Sequence, residues 1–316
     1  LVIDFGGGTC DLSLLRLQLD NGHVLKMDNL SISRYNDLGG QDIDMMIAEQ
    51  VLLPLYIEQR ENEDDATTLE TKVMPQLAVL AERLKIELAQ LIASKYISID
   101  KLPETFPENM LIHLSSYSLN IGVEFILNDI HFSAQQLVDI TAALFSSESY
   151  KLSVVDKVIR SVPSVIDDTL KKAGIKRSQI DYLLFVGGSV QNLLFIKECS
   201  LLLPKSHYLI PQRLDTLVAK GAAIYSFYKH LFNIDLICPI VSDTIGIITD
   251  NAEFFPLIKA GQSLPIQFDL SSFCVQHMMQ QKIEIPLCID NADRIVQIIS
   301  IQTNRIHCPD DVISIK

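Results

Sequence analysis

The sequence predicts an α/β protein that closes in a β-rich segment, and three stretches carry that expectation. The first is Leu1-Val2-Ile3-Asp4-Phe5-Gly6-Gly7-Gly8-Thr9-Cys10-Asp11-Leu12-Ser13-Leu14-Leu15: an apolar run, a carboxylate, three glycines, a hydroxyl, a second carboxylate and another apolar run. The second is Tyr182 to Val186, almost wholly apolar in the manner of a strand buried on both faces, followed by Gly187-Gly188-Ser189 and a helical pattern from Asn192. The third is the chain beyond residue 240, where the apolar runs become short and are separated by polar turns.

The opening stretch reads as strand, phosphate-sized turn, strand. Glycines let backbone N–H groups approach a ligand, and consecutive N–H groups in such a turn form an anion-binding concavity. Asp4 and Asp11 bracket it with negative charge, so a divalent cation between carboxylates and phosphate is its natural completion. A glycine-rich hairpin turn with no ligand fits the same residues equally well.

Cys10 to Leu19 then continues as a strand, Asn21-Gly22 signals a hairpin, and His23 to Ser33 returns. Gln41 opens a helix with Ile43, Met46, Ile47, Val51, Leu52 and Leu55 on one stripe, which Pro54 kinks or ends early. Glu58 to Glu70 is a polar connection. Met74 to Ala93 is helical again through Leu77, Leu80, Ala81, Leu84, Leu88, Leu91 and Ile92. Glu82 and Lys85 share a face of it, ordinarily as a surface ion pair.

Lys95 to Ile99 and Met110 to His131 read as strands with a turn-rich extension. Ser133-Ala-Gln-Gln136 has capping-box form and starts a helical region that runs, with a break near Ser146 to Ser149, to Lys172, where Gly174 is placed to cap it. The strand before Gly187-Gly188-Ser189 and the helix after it make a ready anion or nucleotide site. Asp215 reads as the N-cap of a helix from Thr216 to Phe232, whose small Ala219, Gly221, Ala222 and Ala223 permit close packing. Thr244 to Ile248, Phe254 to Ile258, Ile266 to Phe268, Phe273 to His277, Lys282 to Ile289 and Ile295 to Ile301 are the short strands of a β-sandwich.

Composition narrows the classes of function. The chain has 316 residues, 48% hydrophobic and 21% charged, enough for two domains and a sizeable core. A formal net charge of −13 argues against nucleic acid or an anionic membrane as partner, since both need a basic face. The six cysteines show no CxxC spacing, which suits reduced thiols, and the seven histidines show no metal spacing. No apolar run approaches the ~20 residues that span a bilayer. These features make a cytoplasmic location the expectation. The start, without Met and inside a strand, reads as that of a fragment.

Asp4-Phe-Gly-Gly-Gly-Thr9-Cys-Asp11 resembles the second phosphate-binding segment of Hsp70-family chaperones. Leu38-Gly39-Gly40-Gln41-Asp42-Ile43-Asp44, Val186-Gly187-Gly188-Ser189 and Val218-Ala219-Lys220-Gly221-Ala222-Ala223 follow in that family's order. The resemblance implies an actin-like, ribonuclease H-like ATPase lobe over 1–232, an interdomain linker over 233–240 around Asp235-Leu236-Ile237-Cys238, and a partial peptide-binding β-sandwich domain over 241–316. It implies ATP or ADP with Mg²⁺ as cofactors. Asp4 and Asp11 would hold the hydrated metal, Gly6, Gly7 and Gly8 would donate N–H groups to the phosphates, Thr9 would place its hydroxyl at the γ-phosphate, and Asp11 would also orient the attacking water. Glu82 and Lys85 would approach the ribose, and Gly187, Gly188, Ser189 and Asp215 would line the nucleotide pocket.

It also implies unfolded or extended apolar peptides as clients, and J-domain and nucleotide-exchange co-chaperones as partners. Against the family pattern, Gln41 stands where a Glu lies near the metal waters, Gln191 and Ile86 where adenine-stacking arginines lie, and Ala89 where a Ser bonds the base. The family's first phosphate loop and its catalytic Lys are not found in this sequence. These departures imply a chain that does not turn ATP over by itself, or a degenerate relative that binds without hydrolysis. A sugar-kinase or actin relative is disfavoured by the β-rich end.

Overall fold

The structure is a computed structural model that describes residues 1–20, 24–60, 64–249, 251–267, 270–274, 279–307 and 312–315. Its strands and helices follow the expected α/β order, and the chain divides into two compact units. Unit 1 comprises Leu1–Ser13 and Ser33–Phe227; unit 2 comprises Leu14–Ile32 and Tyr228–Lys316.

Unit 1 holds β1 (Val2–Phe5), the first residues of β2 (Cys10–Asp20) and the last of β3 (Val24–Asn36), the remainder of β2 and β3 being counted in unit 2. Asn21-Gly22, the expected hairpin turn, lies outside the described residues. A helix follows from Gly40 to Gln59: α1 (Gly40–Ile47), a wide π-turn over Ala48–Leu52, and α2 (Leu53–Gln59). The π-turn precedes Pro54, which has no N–H to donate and whose ring would crowd the carbonyl four residues back in a regular helix. The same device recurs: α3 (Ala66–Thr68), capped by Asp65 at 2.6 Å, passes through a π-turn at Leu69–Val73 into α4 (Met74–Lys95), with Pro75 in its first turn. The expected kink at Pro54 is thus a wide turn in a helix that continues.

The expected strand at Lys95 to Ile99 is not formed. Helix α4 runs through Lys95, and Ile99–Lys101 close a 3₁₀ turn, so the β-branched Ile97 stands 86% exposed with no partner strand. Beyond it β4 (Leu111–Asn120) and β5 (Glu124–Ser133) form a two-stranded antiparallel hairpin. Ser133 caps α5 (Ala134–Ala143) through the capping box read from the sequence.

The break expected near Ser146 to Ser149 in the helical region to Lys172 is present and wider than read, because α5 stops at Ala143 and the helix resumes only at Val162. Serines at 146, 147 and 149 compete for backbone hydrogen bonds, and β6 (Tyr150–Lys151) pairs with β7 (Val158–Ile159) before a second helix, α6 (Val162–Ala173), starts at Pro163. Gly174 ends α6 with φ +66, the left-handed cap expected.

Strand β8 (Tyr182–Val186) enters the sheet parallel to β1, and α7 (Leu193–Leu202) follows with Asn192 as its cap. Strand β9 (His207–Leu209), not expected from sequence, completes the order β3-β2-β1-β8-β9. Ile3, Phe5, Leu12, Phe185 and Phe195 are fully buried here, and the Phe5 and Phe195 rings stack at 4.1 Å. A 3₁₀ turn over Leu214–Thr216 leads into α8 (Leu217–Phe232), so Asp215 lies in that turn; its side chain is outside what is described.

In unit 2, β10 (Ile245–Ile248), β11 (Phe254–Ile258), β12 (Leu270–Cys274), β13 (Gln280–Ile289), β14 (Ile295–His307) and β15 (Val312–Ile315) form a four-stranded sheet ordered β11-β10-β13-β14 and a β12-β15 pair. Ile266 and Gln267 are unpaired rather than a strand, following Pro265, which brings no amide to a ladder; Phe268 and the end of the run to His277 lie outside the described residues.

Candidate functional site

The glycine turn at residues 6–9 joins β1 to β2, and its geometry follows from the register. Asp4 and Asp11 are direct cross-strand partners, as are Phe5 and Cys10. Opposed residues of an antiparallel pair project to the same face, so the two carboxylates stand together, partly buried. Burial first, and then the charge of Asp11, hold the Asp4 carboxyl above the ordinary carboxylate range.

The turn closes on itself: Gly6 N–H donates to the Thr9 carbonyl at 2.9 Å. The Gly6 amide is thus engaged inside the turn in this structure. Gly7, Gly8 and Thr9 are its exposed positions. Two other elements converge on it. From the N-terminus of α1, Gly40 N–H donates to the Gly6 carbonyl at 2.9 Å and Gln41 N–H to the Gly7 carbonyl at 2.6 Å. From the turn after β8, the Ser189 hydroxyl donates to the Gly6 carbonyl at 3.0 Å.

Both contacts need glycine. Gly187 has φ +96, and a side chain there would run into the Phe5 carbonyl and come within 2.8 Å of Asp4 Oδ1. A side chain on Gly39 would lie 2.6 Å from the Gly7 carbonyl oxygen. The site therefore sits where β1 and β8 end in parallel, the carboxyl edge at which open α/β sheets hold ligands.

Lys85 is tied to α1: its ammonium lies 2.7 Å from Asp44 Oδ1 and donates to the Gly40 carbonyl at 2.9 Å. Burial pushes Asp44 up to about 6 against the pull of Lys85, with Glu82 and Asp42 adding to the rise. Glu82 itself is exposed, as is Gly188, and Ser189 is half-buried. Ile86 is exposed and Ala89 half-buried on the same side of α4 as Glu82, and Gln191 is exposed. The structure thus gathers Asp4, Gly6, Gly7, Asp11, Gly187, Ser189 and Lys85 around the turn.

Asp42 and Lys157 were missed as parts of this framework. Asp42 accepts from Gly39 N–H at 2.6 Å and pairs with Lys157 at 2.9 Å. The signal for Asp42 was its N3 position after the glycine pair; Lys157 is too distant in sequence to leave one.

Comparison with known proteins decides the family. Residues 1–120 match the family model "Hsp70 protein". The chain is 30% identical over 271 residues to the chaperone protein DnaK of Mycoplasmopsis pulmonis, covering 84% of this chain and 38% of that protein. The chain belongs to the Hsp70 family. Another Hsp70-type relative, DnaK of Mycoplasma mobile, is also 30% identical over 84% of this chain. The mitochondrial iron-sulfur cluster biogenesis chaperone of Saccharomyces cerevisiae is 26% identical over the same share of the chain and 34% of its own length. This Hsp70-family chain spans well under half the length of these relatives. No helix among the described residues is long and apolar enough to cross a membrane.

Proposed function

We propose that the glycine turn of unit 1 binds the phosphates of ATP or ADP with Mg²⁺, as part of an Hsp70-type chaperone cycle in which nucleotide gates the binding and release of extended apolar peptides. The observation that carries this reading is the facing Asp4–Asp11 pair beneath an exposed Gly7-Gly8-Thr9 edge at the carboxyl end of parallel β1 and β8. Two partly buried carboxylates repel each other, and an all-oxygen donor set of this kind fits a hydrated Mg²⁺. When bound, the metal would neutralise phosphate charge.

The protein's own residues do the rest. Asp4 and Asp11 would hold the hydrated metal, and Gly7 and Gly8 would let phosphate approach the backbone. Thr9 offers a hydroxyl at the exposed end of the turn, and Asp11 is placed to orient an attacking water. Gly6 and Gly187 shape the turn. Lys85 and Glu82 rim it, and Gly188, Ser189 and Asp215 extend the pocket toward the nucleoside.

Residues 233–240 are assigned as the linker and 241–316 as the peptide-binding portion. Supporting this, the edge strand β14 exposes Ile295, Val296, Ile298 and Ile299, an apolar sheet edge suited to an extended peptide. J-domain and nucleotide-exchange proteins are the co-chaperones this reading implies, and a cytoplasmic-type compartment is its setting.

A second reading, binding without turnover, is favoured by Gln41. Its amide N–H is bound to Gly7, and its uncharged side chain reaches within 3.6 Å of a side-chain position on Gly8, where the family pattern has a carboxylate. Titration of the 316-residue chain with fluorescent ADP, with and without Mg²⁺, tests the proposal. Metal-dependent saturable binding is expected, and binding indifferent to Mg²⁺ and to Asp4→Asn would sink it. Phosphate release under single-turnover conditions separates the two readings.

A further inference from the structure

Among the described residues, a second cluster of ligating side chains lies on a different sheet, the β4–β5 hairpin. His113 and His131 are eighteen positions apart in sequence, so no local spacing signals them, but the register makes them direct cross-strand partners. The sequence shows no metal spacing among its histidines, and it is the strand pairing that brings these two together. Their rings lie side by side, with centroids 4.5 Å apart and planes inclined by 30°. Both Nε2 atoms lie 3.0 Å from one oxygen, Oδ1 of Asp129.

The backbone accounts for the convergence. Asp129 has φ +53, a left-handed conformation uncommon outside glycine and tolerated by aspartate. Across it the pleat of β5 is reset: Leu127 is buried, Asn128 and Asp129 are both exposed, and Ile130 and Phe132 are buried with His131 exposed between them. Beyond the reset Asp129 and His131, two residues apart, share the outward face that carries the two imidazoles. All three side chains are open to solvent, at 46% for His113, 78% for Asp129 and 51% for His131.

We propose that His113 Nε2, His131 Nε2 and Asp129 Oδ1 form a surface site for a divalent transition-metal ion of the zinc class, which clamps β4 to β5. Their ligating atoms all lie within 4.8 Å of one another. A tetrahedral ion with bonds of about 2.0–2.2 Å sets its donors roughly 3.4 Å apart, so the imidazoles need move only slightly from their hydrogen-bonded positions. Two imidazole nitrogens and one carboxylate suit Zn²⁺, Co²⁺, Ni²⁺ or Cu²⁺, whereas Mg²⁺ and Ca²⁺ take oxygen ligands. The donor chemistry therefore separates this site from the Asp4–Asp11 pair. Three protein ligands leave the remaining coordination to water, and the ligands come from both strands of the hairpin, so the ion acts as a cross-strand staple.

The test is calorimetric titration of the untagged, chelator-stripped 316-residue chain with zinc chloride in buffer containing saturating Mg²⁺, with the thermal midpoint measured in parallel. One equivalent of saturable binding is expected. His113→Ala, His131→Ala and Asp129→Asn should each weaken it by more than about 10-fold, while His207→Ala leaves it unchanged. At a hundredfold excess over its dissociation constant, zinc should raise the midpoint of the parent chain by about 5 °C and that of the His113→Ala/His131→Ala double variant not at all. Because the three residues are exposed, the variants should match the parent's midpoint in chelator within about 2 °C. No saturable binding by the parent, or undiminished binding by the double variant, would overturn the proposal and leave the trio as a hydrogen-bonded surface cluster.

Discussion

Lys85 Nζ lies 2.7 Å from Asp44 Oδ1, with the two side chains only 12% and 6% exposed. This pair joins α4 to α1 beside the glycine turn. Removing one partner of a buried pair strands the other, a loss of about 3–5 kcal/mol. Lys85→Met should therefore destabilise unit 1 by about 3 kcal/mol at pH 7.5. Asp44 titrates near 6 in the folded chain against 3.8 for an ordinary Asp. Its contribution to stability is fully present below the unfolded value and is lost as pH rises through the folded one. The deficit of Lys85→Met should accordingly shrink between pH 7 and 5, and Asp44→Asn added to it should restore most of the loss. Urea melts at both pH values check this; an equal deficit at each would refute it.

Asp4 and Asp11 predict effects of opposite sign on stability and on binding. Burial and the facing Asp11 raise the Asp4 carboxyl, so its ionisation disfavours the folded state above that raised value. Asp4→Asn should then leave the metal-free chain as stable at neutral pH or more so. Nucleotide affinity in Mg²⁺ should fall by about 10–100-fold, the usual cost of losing a group that orients a metal's outer shell. A variant that loses stability and affinity together would point to a structural role alone.

Gly187 and Gly188 are adjacent yet should respond differently. Gly187→Ala forces a side chain at φ +96 against the Phe5 carbonyl, with an expected cost of about 1–3 kcal/mol and loss of the β8 turn from the site. Gly188 has an ordinary helical backbone, and nothing lies within 4 Å of a side-chain position there. Gly188→Ala should unfold within about 0.5 kcal/mol of the parent. Thermal melts of the two variants decide the point, and similar losses in both would contradict it.

Local chemistry explains which parts were legible. The glycine turn, β8 and the Ser133 capping box are each specified within a few neighbouring residues, and they form as read. Lys95 to Ile99 has β-forming residues but no strand to pair with, and the preceding helix claims its first residue. The break in the helical region was legible in the serines from 146 to 149, but its extent to Val162 was not, because the β6–β7 pair that fills it depends on register. The His113–His131 pair was invisible because register brings it together, and register is not written in spacing. The engagement of the Gly6 amide within its own turn likewise depends on the Thr9 carbonyl's orientation, which residue types do not reveal.

Thiol reactivity provides a check on the packing behind the site. Cys10, paired with Phe5 across β1 and β2, is fully buried, and burial first, then Asp11 and Asp4, push its thiol up to about 12. Cys199 on α7 is also fully buried, and burial raises it well above an ordinary thiol. Cys238 and Cys274 are exposed. The thiolate is the reacting species, so both protonation and access protect the first two. Brief treatment with iodoacetamide at pH 8, followed by peptide mass spectrometry, should label Cys238 and Cys274 and spare Cys10 and Cys199 until urea is added. Labelling of Cys10 in the folded chain at the rate of Cys238 would mean that the β1–β2 pair opens freely. Asp4 and Asp11 could not then be held facing each other beneath the glycine turn.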